Sequence, residues 1–152
     1  MDINAFEINF LDVEIQNVKT KVASFPWHEM PKDGGWSFGT NIDYMKNLAD
    51  YWTKKYDWKS QEVRLNQFPN YITKVDDLDI HFIIKKSSSP NAIPLILIHG
   101  WPGSIVEFLE IIDPLCEPEK YGNNNEVCFD IIAPSIPGFA FSGKPENPIG
   151  PR

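Results

Sequence analysis

Residues 94–106 have the sequence Pro-Leu-Ile-Leu-Ile-His-Gly-Trp-Pro-Gly-Ser-Ile-Val. The apolar run at 95–98 is typical of a strand buried on both faces, as in a parallel sheet with helices on either side. A Gly/Pro-rich turn follows, and then an amphipathic helix is predicted at 104–113. Ser104 with Glu107 three residues later fits a capping box at the start of this helix. The stretch therefore predicts strand, turn and helix, with the turn at the carboxyl end of a strand, where α/β proteins bind ligands.

The chemistry predicted for residues 99–104 lies in their backbone. Gly100 and Gly103 predict backbone angles that other residues rarely adopt. The bond between Trp101 and Pro102 is a candidate for the cis form, which about 5–6% of X-Pro bonds take. A turn held this way can aim the Trp101 N–H into a pocket and stabilise a developing oxyanion there. The alternative is a simple loop with packing glycines, and the flanking strand and helix favour an oxyanion turn.

The composition predicts one globular domain that does not bind nucleic acid. A chain of 152 residues is long enough for a core that buries roughly 68–70% of the unfolded surface. Apolar residues make up 42% and aromatic residues 13% of the chain, which excludes a disordered protein. The formal charge of −7 argues against binding to nucleic acid and to anionic lipid.

The two cysteines and the N-terminus predict a cytoplasmic protein. Cys116 and Cys128 form no C-x-x-C pair, and neither His28 nor His81 has ligand-like spacing to them, so we expect no structural metal. We expect reduced thiols, with a disulfide between the two cysteines as the alternative. No apolar run approaches the roughly 18 residues of a transmembrane helix. The N-terminus has neither a basic segment nor an apolar segment of the signal-peptide kind. We therefore expect no membrane anchor in this chain.

Helical periodicity and alternation predict the remaining elements. The first half predicts a strand at 5–10, a helix at 11–24, a packed loop at 28–40, a helix from an N-cap at Thr40 to about 56, and a helix at 58–67 capped by Asp57. The second half predicts a hairpin of strands 71–75 and 80–86 joined by 76–79, a surface loop at 117–126, a strand at 127–133 and a loop at 134–142. In the hairpin, His81 alternates with Ile80 and Phe82, which places it on the solvent face.

Several motifs together resemble the N-terminal part of the microsomal and juvenile-hormone-type epoxide hydrolases. The oxyanion turn at 99–104, His-Gly-Trp-Pro-Gly-Ser, is similar to the His-Gly-x-Pro turn of the wider α/β-hydrolase superfamily. The other matching stretches are Gly-Trp-Ser-Phe-Gly at 35–39, Tyr-Met-Lys-Asn-Leu at 44–48 with Tyr51 and Trp52, Tyr-Asp-Trp at 56–58, Arg-Leu-Asn-Gln-Phe-Pro at 64–69, Ile-His-Phe at 80–82 and Pro-Ser-Ile-Pro-Gly-Phe-Ala-Phe-Ser at 134–142. They cover nearly the whole chain and separate this family from other α/β-hydrolases.

The resemblance implies an α/β fold that is only the first part of an α/β-hydrolase. Residues 1–70 would be the helical N-terminal extension of the family. Residues 71–152 would be the first strands and helix of the hydrolase domain, with an incomplete sheet. In that sheet the strand at 95–98 has the 127–133 strand on one side and a strand outside this chain on the other. A long apolar edge of this kind is an aggregation hazard.

The resemblance also implies an activity and a role for the turn. Enzymes of the family add water to an apolar epoxide through a covalent aspartyl ester, without a cofactor, and give a vicinal diol. The Trp101 N–H would be an oxyanion donor, with His99, Gly100 and Gly103 supporting the turn. The Trp101 ring, Pro102, Phe139 and Phe141 would line the substrate site. His99 is expected to hold the turn through backbone hydrogen bonds rather than to act in catalysis.

The rest of the catalytic machinery is expected to be absent from this chain. We expect no nucleophile elbow, with either aspartate or serine at its centre, and by resemblance the acid, the base histidine and the lid are also missing. The chain is therefore expected to be a fragment that is inactive alone. Two alternatives stay open: a short pseudo-enzyme or binding module of the same fold, and another α/β-hydrolase such as a dehalogenase or esterase. A homo-oligomer also stays open.

Overall fold

The structure, a computed structural model, describes residues 2–31, 34–123 and 127–147. Parts of the predicted loops 28–40 and 117–126 lie outside the described residues. The elements follow the order β1 (Asn4–Ala5), α1 (Asp12–Ala23), α2 (Ile42–Lys54), α3 (Trp58–Leu65), β2 (Asn70–Val75), β3 (Leu78–Lys85), β4 (Ile93–Ile96), a 3₁₀ helix (Ile105–Phe108), α4 (Leu109–Cys116), a second 3₁₀ helix (Pro118–Tyr121) and β5 (Phe129–Pro134).

The chain divides into two compact units. The first consists of Met1–Ile8 and Leu65–Arg152, and the second is Asn9–Arg64. The first unit contains a five-stranded sheet in the order β1-β2-β3-β5-β4. Its strands pair antiparallel except for β4 and β5, which are parallel and are joined by a crossover through α4. This mixed sheet with a crossover helix confirms the predicted α/β class. The predicted domains 1–70 and 71–152 stay a prediction.

One face of the sheet in the first unit forms the core. The first 3₁₀ helix and α4 pack on β5, and α4 also contacts β3. Ile131 and Ala133 of β5 and Ile83 of β3 lie under these helices and are fully buried, together with Ile105 and Ile112 of the helices themselves. Apolar side chains at alternate strand positions meet the apolar stripe of the helix, which is the usual way an α/β layer excludes water.

The strand predicted at 95–98 is present as β4, but with other bounds, and the prediction that it is buried on both faces is wrong. It spans Ile93–Ile96, and among the described residues it pairs only with β5, so it forms an edge of the sheet. Ile96 is 59% and Ile98 is 66% exposed, because the face on which they lie has no covering element in the described part of the chain. Pro94 lies within β4, and the N–H groups of Ile93 and Leu97 donate to Cys128 and Ile132 beside it.

Two other strand predictions need correction. The hairpin between β2 and β3 has a two-residue turn at Asp76 and Asp77, with φ of 46° and 66°, instead of the predicted four-residue connection at 76–79. Positive φ at both central residues is the signature of a type I′ turn, and aspartate tolerates it. The strand predicted at 5–10 is limited to Asn4–Ala5. Further along, the Asn66 side chain binds both the N–H and the C=O of Ile8, in place of a partner strand.

The second unit contains α1, α2 and most of α3, so the three predicted helices of the first half are confirmed with shifted ends. The N-cap of α2 is Asn41 rather than Thr40, since its Oδ1 accepts from the N–H groups of Asp43 and Tyr44. Asp57 caps α3 as predicted, by accepting from the Ser60 N–H at 3.0 Å. None of the helices in the described ranges is both long enough and apolar enough to span a bilayer.

Candidate functional site

The oxyanion turn, residues 99–104, lies between the edge strand β4 and the first 3₁₀ helix. The Gly103 N–H donates to the Gly100 carbonyl at 2.8 Å and closes the turn. The Trp101–Pro102 peptide bond is cis, and the Trp101 side chain is 83% exposed. Within the described residues the backbone N–H of Trp101 donates to no acceptor. The turn therefore presents an unpaired amide donor beside an exposed aromatic ring.

The capping box after the turn fixes its exit. The Ser104 side chain accepts from Val106 N–H at 3.3 Å, and Glu107 accepts from Ser104 N–H at 3.1 Å. The box confirms the predicted helix start, although the first turn is 3₁₀ and the α-helix begins only at Leu109. Because both partners are local, the cap holds Ser104 in an extended conformation directly after Gly103.

The two glycines of the turn differ in how much room surrounds them. Neither Gly100 nor Gly103 is among the glycines with a positive φ, so neither takes the left-handed conformation that most clearly requires glycine. Gly103 is required for a different reason: a Cβ there would overlap the Glu107 carboxylate and lie 3.1 Å from the Gly100 oxygen. A Cβ at Gly100 would meet nothing within 4 Å in the described structure. Space rather than backbone freedom therefore explains Gly103.

We expect Gly103→Ala to lower the stability of the native protein that carries this chain by about 0.5–2 kcal/mol, the usual cost of losing a helix cap. The methyl group must displace the Glu107 carboxylate, which breaks the capping box. Denaturant unfolding measures the loss. Gly100→Ala is the matched control, since the added methyl group meets nothing within 4 Å. Equal losses in the two variants would contradict a specific requirement at Gly103.

His99 joins the oxyanion turn to the loop after β5. Its side chain is buried, and its Nε2 accepts the Ile136 N–H at 3.1 Å. Its Nδ1 lies 3.2 Å from the carbonyl oxygen of Gly100. The ring also packs edge-on against Phe139, with 5.5 Å between ring centroids. His99 therefore bonds to the backbone on both sides, and nothing in this arrangement gives it a free nitrogen for catalysis.

The other residues predicted to line the substrate site do not all gather at the turn. Pro102 is exposed beside Trp101, and Phe139 is half-buried against His99. Phe141 packs its ring on His81 at 5.1 Å and on Phe6 at 5.8 Å instead. The structure thus brings Phe139 to the turn and places Phe141 within a buried cluster. Their roles in binding substrate stay predictions.

His81 is fully buried, so the prediction that it faces solvent is wrong. Alternation fails here because both faces of β3 are covered at its centre: residues 81, 82 and 83 are all buried. The His81 ring bonds to Ser135 and Asn70 and packs against Phe6 and Phe141. Burial among these uncharged groups lowers the pKa of His81 from 6.5 to about 4. The imidazole is therefore neutral at physiological pH.

We expect the native protein to lose stability as the pH falls from about 6.5 to about 4. Over this range the unfolded chain binds a proton at His81, whereas the folded protein, with its lowered pKa, does not. The loss over the window is roughly 2–3 kcal/mol, since one pKa unit corresponds to about 1.4 kcal/mol. Urea midpoints between pH 4.5 and 7.5 measure it. In His81→Gln this part of the pH dependence should disappear, and an unaltered pH profile in that variant would contradict the assignment.

Residues 35–39 have the sequence Gly-Trp-Ser-Phe-Gly, which matches the G-x-S-x-G motif of a serine nucleophile elbow. The structure does not give them that geometry. They form hydrogen-bonded turns between α1 and α2 in the second unit, no strand of the described residues leads into them, and Ser37 is exposed. An elbow requires a strand that leads into a sharp turn and a helix. Ser37 is therefore not assigned as a nucleophile.

Neither cysteine presents an exposed thiol in the structure. Cys116 and Cys128 are free and buried. Burial is the main reason that the pKa of the Cys116 thiol is raised to about 11, so that the thiol is protonated at neutral pH. Within residues 2–31, 34–123 and 127–147, no group of three or more His, Cys, Asp and Glu residues could hold a metal ion.

Comparison with known proteins identifies the relatives of this chain. Residues 3–108 match the family model of the epoxide hydrolase N terminus. The chain is 39% identical over 152 residues to juvenile hormone epoxide hydrolase 1 of Ctenocephalides felis, covering 97% of this chain and 32% of that protein. It is 38% identical over 144 residues to epoxide hydrolase 1 of Sus scrofa, covering 92% of this chain and 32% of that protein.

The fold agrees with a solved relative. The structure superposes on the juvenile hormone epoxide hydrolase of the silkworm Bombyx mori with a TM-score of 0.84 and 32% identity, covering 97% of this chain and 35% of that chain. The first unit is therefore part of an α/β-hydrolase fold. The chain spans about a third of the length of the curated relatives that it matches.

Proposed function

The chain belongs to the epoxide hydrolase family, and from this membership we propose that it is the N-terminal part of an enzyme that adds water to an apolar epoxide to give a vicinal diol. The observation that carries the proposal is the Trp101 N–H, which has no acceptor among the described residues and lies in a turn held by His99 at its entry and by the capping box at its exit. Such a donor stabilises the charge that develops when an ester is hydrolysed. We assign it to the hydrolysis of a covalent ester between substrate and enzyme.

The turn acts in the second half of that reaction. A carboxylate opens the epoxide by forming a bond to one ring carbon, and the ring oxygen takes up a proton and becomes a hydroxyl. Water then attacks the carbonyl carbon of the ester, and the carbonyl oxygen carries negative charge in the tetrahedral intermediate. The Trp101 N–H donates to this oxygen. Collapse of the intermediate breaks the bond to the diol and restores the carboxylate, so no cofactor is consumed.

The described residues supply one donor and part of the pocket wall. The exposed Trp101 ring, and the half-buried Phe139 that packs on His99 of the same turn, present apolar surface that suits an apolar epoxide. The nucleophile, the base and the proton donors belong, in this proposal, to the part of the relatives that this chain does not span. The 152 residues alone are then without turnover.

Single-turnover hydrolysis of an apolar epoxide in H₂¹⁸O tests the proposal on the native protein that carries this chain. A covalent ester places the oxygen of the carboxylate in the first diol formed, so that diol contains ¹⁶O. Direct attack of water places ¹⁸O in it and would overturn the covalent step. Turnover of haloalkanes or simple esters without turnover of epoxides would favour a dehalogenase or an esterase. A native mass near 17.4 kDa with no turnover would favour a binding module.

We also propose a cytoplasmic location. The free thiols of Cys116 and Cys128 support it, since thiols stay reduced in that compartment. Cell fractionation tests it, with recovery in the membrane pellet as the contrary result.

The mass of the native protein in solution tests for a homo-oligomer in the same preparation.

A further inference from the structure

A buried polar network lies at the centre of the first unit. It consists of Asn70 on β2, His81 on β3, and Ser135 and Ser142 in the loop after β5, and none of the four is more than 8% exposed. The His81 ring lies 2.9 Å from Ser135 Oγ and 3.0 Å from Asn70 Oδ1. Ser142 Oγ donates to the Ser135 carbonyl at 2.7 Å and accepts from the His81 N–H at 2.9 Å. We call these four residues the His81 network.

The partners of Asn70 determine which nitrogen of His81 carries the proton. The Asn70 amide nitrogen donates to the carbonyls of Leu65 and Phe68 at 3.0 and 2.8 Å, so the amide oxygen faces the imidazole. His81 Nε2 must therefore donate to Asn70 Oδ1. With a neutral ring, Nδ1 carries the lone pair, and the Ser135 hydroxyl donates to it. Every hydrogen bond of the His81 network thus has a defined direction.

The same reasoning gives His99 the opposite tautomer. The Ile136 N–H donates to His99 Nε2, which must carry a lone pair. The remaining proton of the neutral ring is then on Nδ1, where it faces the Gly100 carbonyl at 3.2 Å. Ser135 and Ile136 are consecutive, so one histidine holds the first residue of the loop and the other holds the second. Two sets of hydrogen bonds, joined by the peptide bond between Ser135 and Ile136, therefore connect Asn70 to the oxyanion turn.

We propose that the His81 network positions the loop 135–142 and, through Ile136 and His99, the Trp101 N–H of the oxyanion turn. This inference rests on the proposed function for the role of that N–H. His81 and Ser135 are fully buried and cannot touch a substrate, so both are positioning residues. The network is sensitive to single changes because each buried donor or acceptor left without its partner costs the free energy of its desolvation.

The alternative is that the network serves only to fill the core. Thr73 offers a matched comparison for this alternative. Thr73 lies on β2 of the same sheet and is likewise buried, at 7% exposure. Its hydroxyl donates to the Asp2 carbonyl at 2.9 Å. Among the described residues, the Thr73 hydroxyl has no hydrogen bond to the loop 135–142 or to His99. Thr73→Val and Ser135→Ala therefore each delete one buried hydroxyl hydrogen bond, but only Ser135→Ala interrupts the path to the turn.

The first test uses ¹⁵N-histidine-labelled native protein and does not depend on epoxide turnover. Two-bond ¹H–¹⁵N spectra should show an Nε2–H tautomer for His81 and an Nδ1–H tautomer for His99. Ser135→Ala should shift the ¹⁵N resonances of both histidines, whereas Thr73→Val should leave those of His99 unchanged. Ser142→Ala is a second network variant with the same expected result. Unshifted His99 resonances in both network variants would overturn the proposal.

The second test measures steady-state kinetics on an apolar epoxide. Ser135→Ala should lower kcat about ten- to hundredfold, as small displacements of a catalytic group do, while KM stays within about twofold. Thr73→Val should keep kcat within about twofold of the native value at a similar loss of stability. Equal kcat values in the two variants would overturn the positioning role. A native protein without epoxide turnover would overturn the proposed function alone, since the spectra still report on the path from His81 to His99.

Discussion

We expect replacement of the Trp101 backbone N–H with an ester oxygen to lower kcat for the proposed epoxide hydrolysis by about 10²–10³, the usual effect of losing one oxyanion donor. The change is made in the native protein by incorporating the α-hydroxy analogue of tryptophan at position 101. The side chain and the neighbouring peptide bonds are retained, so binding of the epoxide and its opening are little affected. Hydrolysis of the covalent ester becomes slow, and the ester accumulates. Intact mass under turnover should show the protein with one substrate added.

Trp101→Phe is the matched control for this experiment. It keeps the N–H and removes the indole ring, which is 83% exposed. If the ring lines the pocket, KM rises while kcat changes by no more than about fivefold, because uniform binding is lost rather than stabilisation of the transition state. Similar losses of kcat in both variants, without an accumulated ester, would contradict the role assigned to the amide.

The isolated chain of 152 residues should self-associate through β4. Its outer edge has no partner strand among the described residues, and Ile96 and Ile98 expose most of their side chains on an open face. Unpaired apolar edges of this kind pair with other chains. Light scattering after size exclusion should show oligomers or aggregates, and a hydrophobic dye should fluoresce on binding. A clean monomer with a cooperative unfolding transition would contradict this prediction.

A charge at the edge should reverse the association, and a charge elsewhere should not. Ile98→Lys places an ammonium group at the end of the exposed edge, a device that natural sheets use against pairing. Val63→Lys is the matched control, since Val63 on α3 is exposed to a similar degree, 63% against 66%. We expect a larger monomer fraction for Ile98→Lys alone. An equal effect of both lysines would indicate that added charge, and not the edge, limits association.

The sequence predicts elements well where one local signal decides them. The capping box of Ser104 and Glu107 is such a case, because both hydrogen bonds lie within four residues of each other. The hairpin of β2 and β3 is predicted from alternation, but its turn is shorter than predicted. Aspartate at both central positions is compatible with positive φ without requiring it, so the sequence does not distinguish the two-residue turn from a longer connection.

The site is predicted only in part, because its supports come from distant parts of the chain. The oxyanion turn is contiguous in sequence and is recognised from its own residues. His81 lies 54 residues from Ser135 and 11 from Asn70, and alternation alone placed it in solvent. A residue on a strand covered from both sides cannot be told from one on a half-exposed strand by period alone. The burial of His81 depends on Phe6 and Phe141, which no local pattern connects to it.

Pro94 restricts the registers in which another strand can join β4. Ile93 and Leu97 direct their N–H groups to β5, so residues 94, 96 and 98 direct their backbone groups to the opposite side. Proline has no N–H, and this outer row therefore offers donors at Ile96 and Ile98 only. A strand that pairs with this edge can therefore form a complete ladder of hydrogen bonds only along the half that leads to the oxyanion turn, where Ile96 and Ile98 lie. The edge of β4 therefore leaves room for a neighbouring strand and also restricts the register in which that strand pairs.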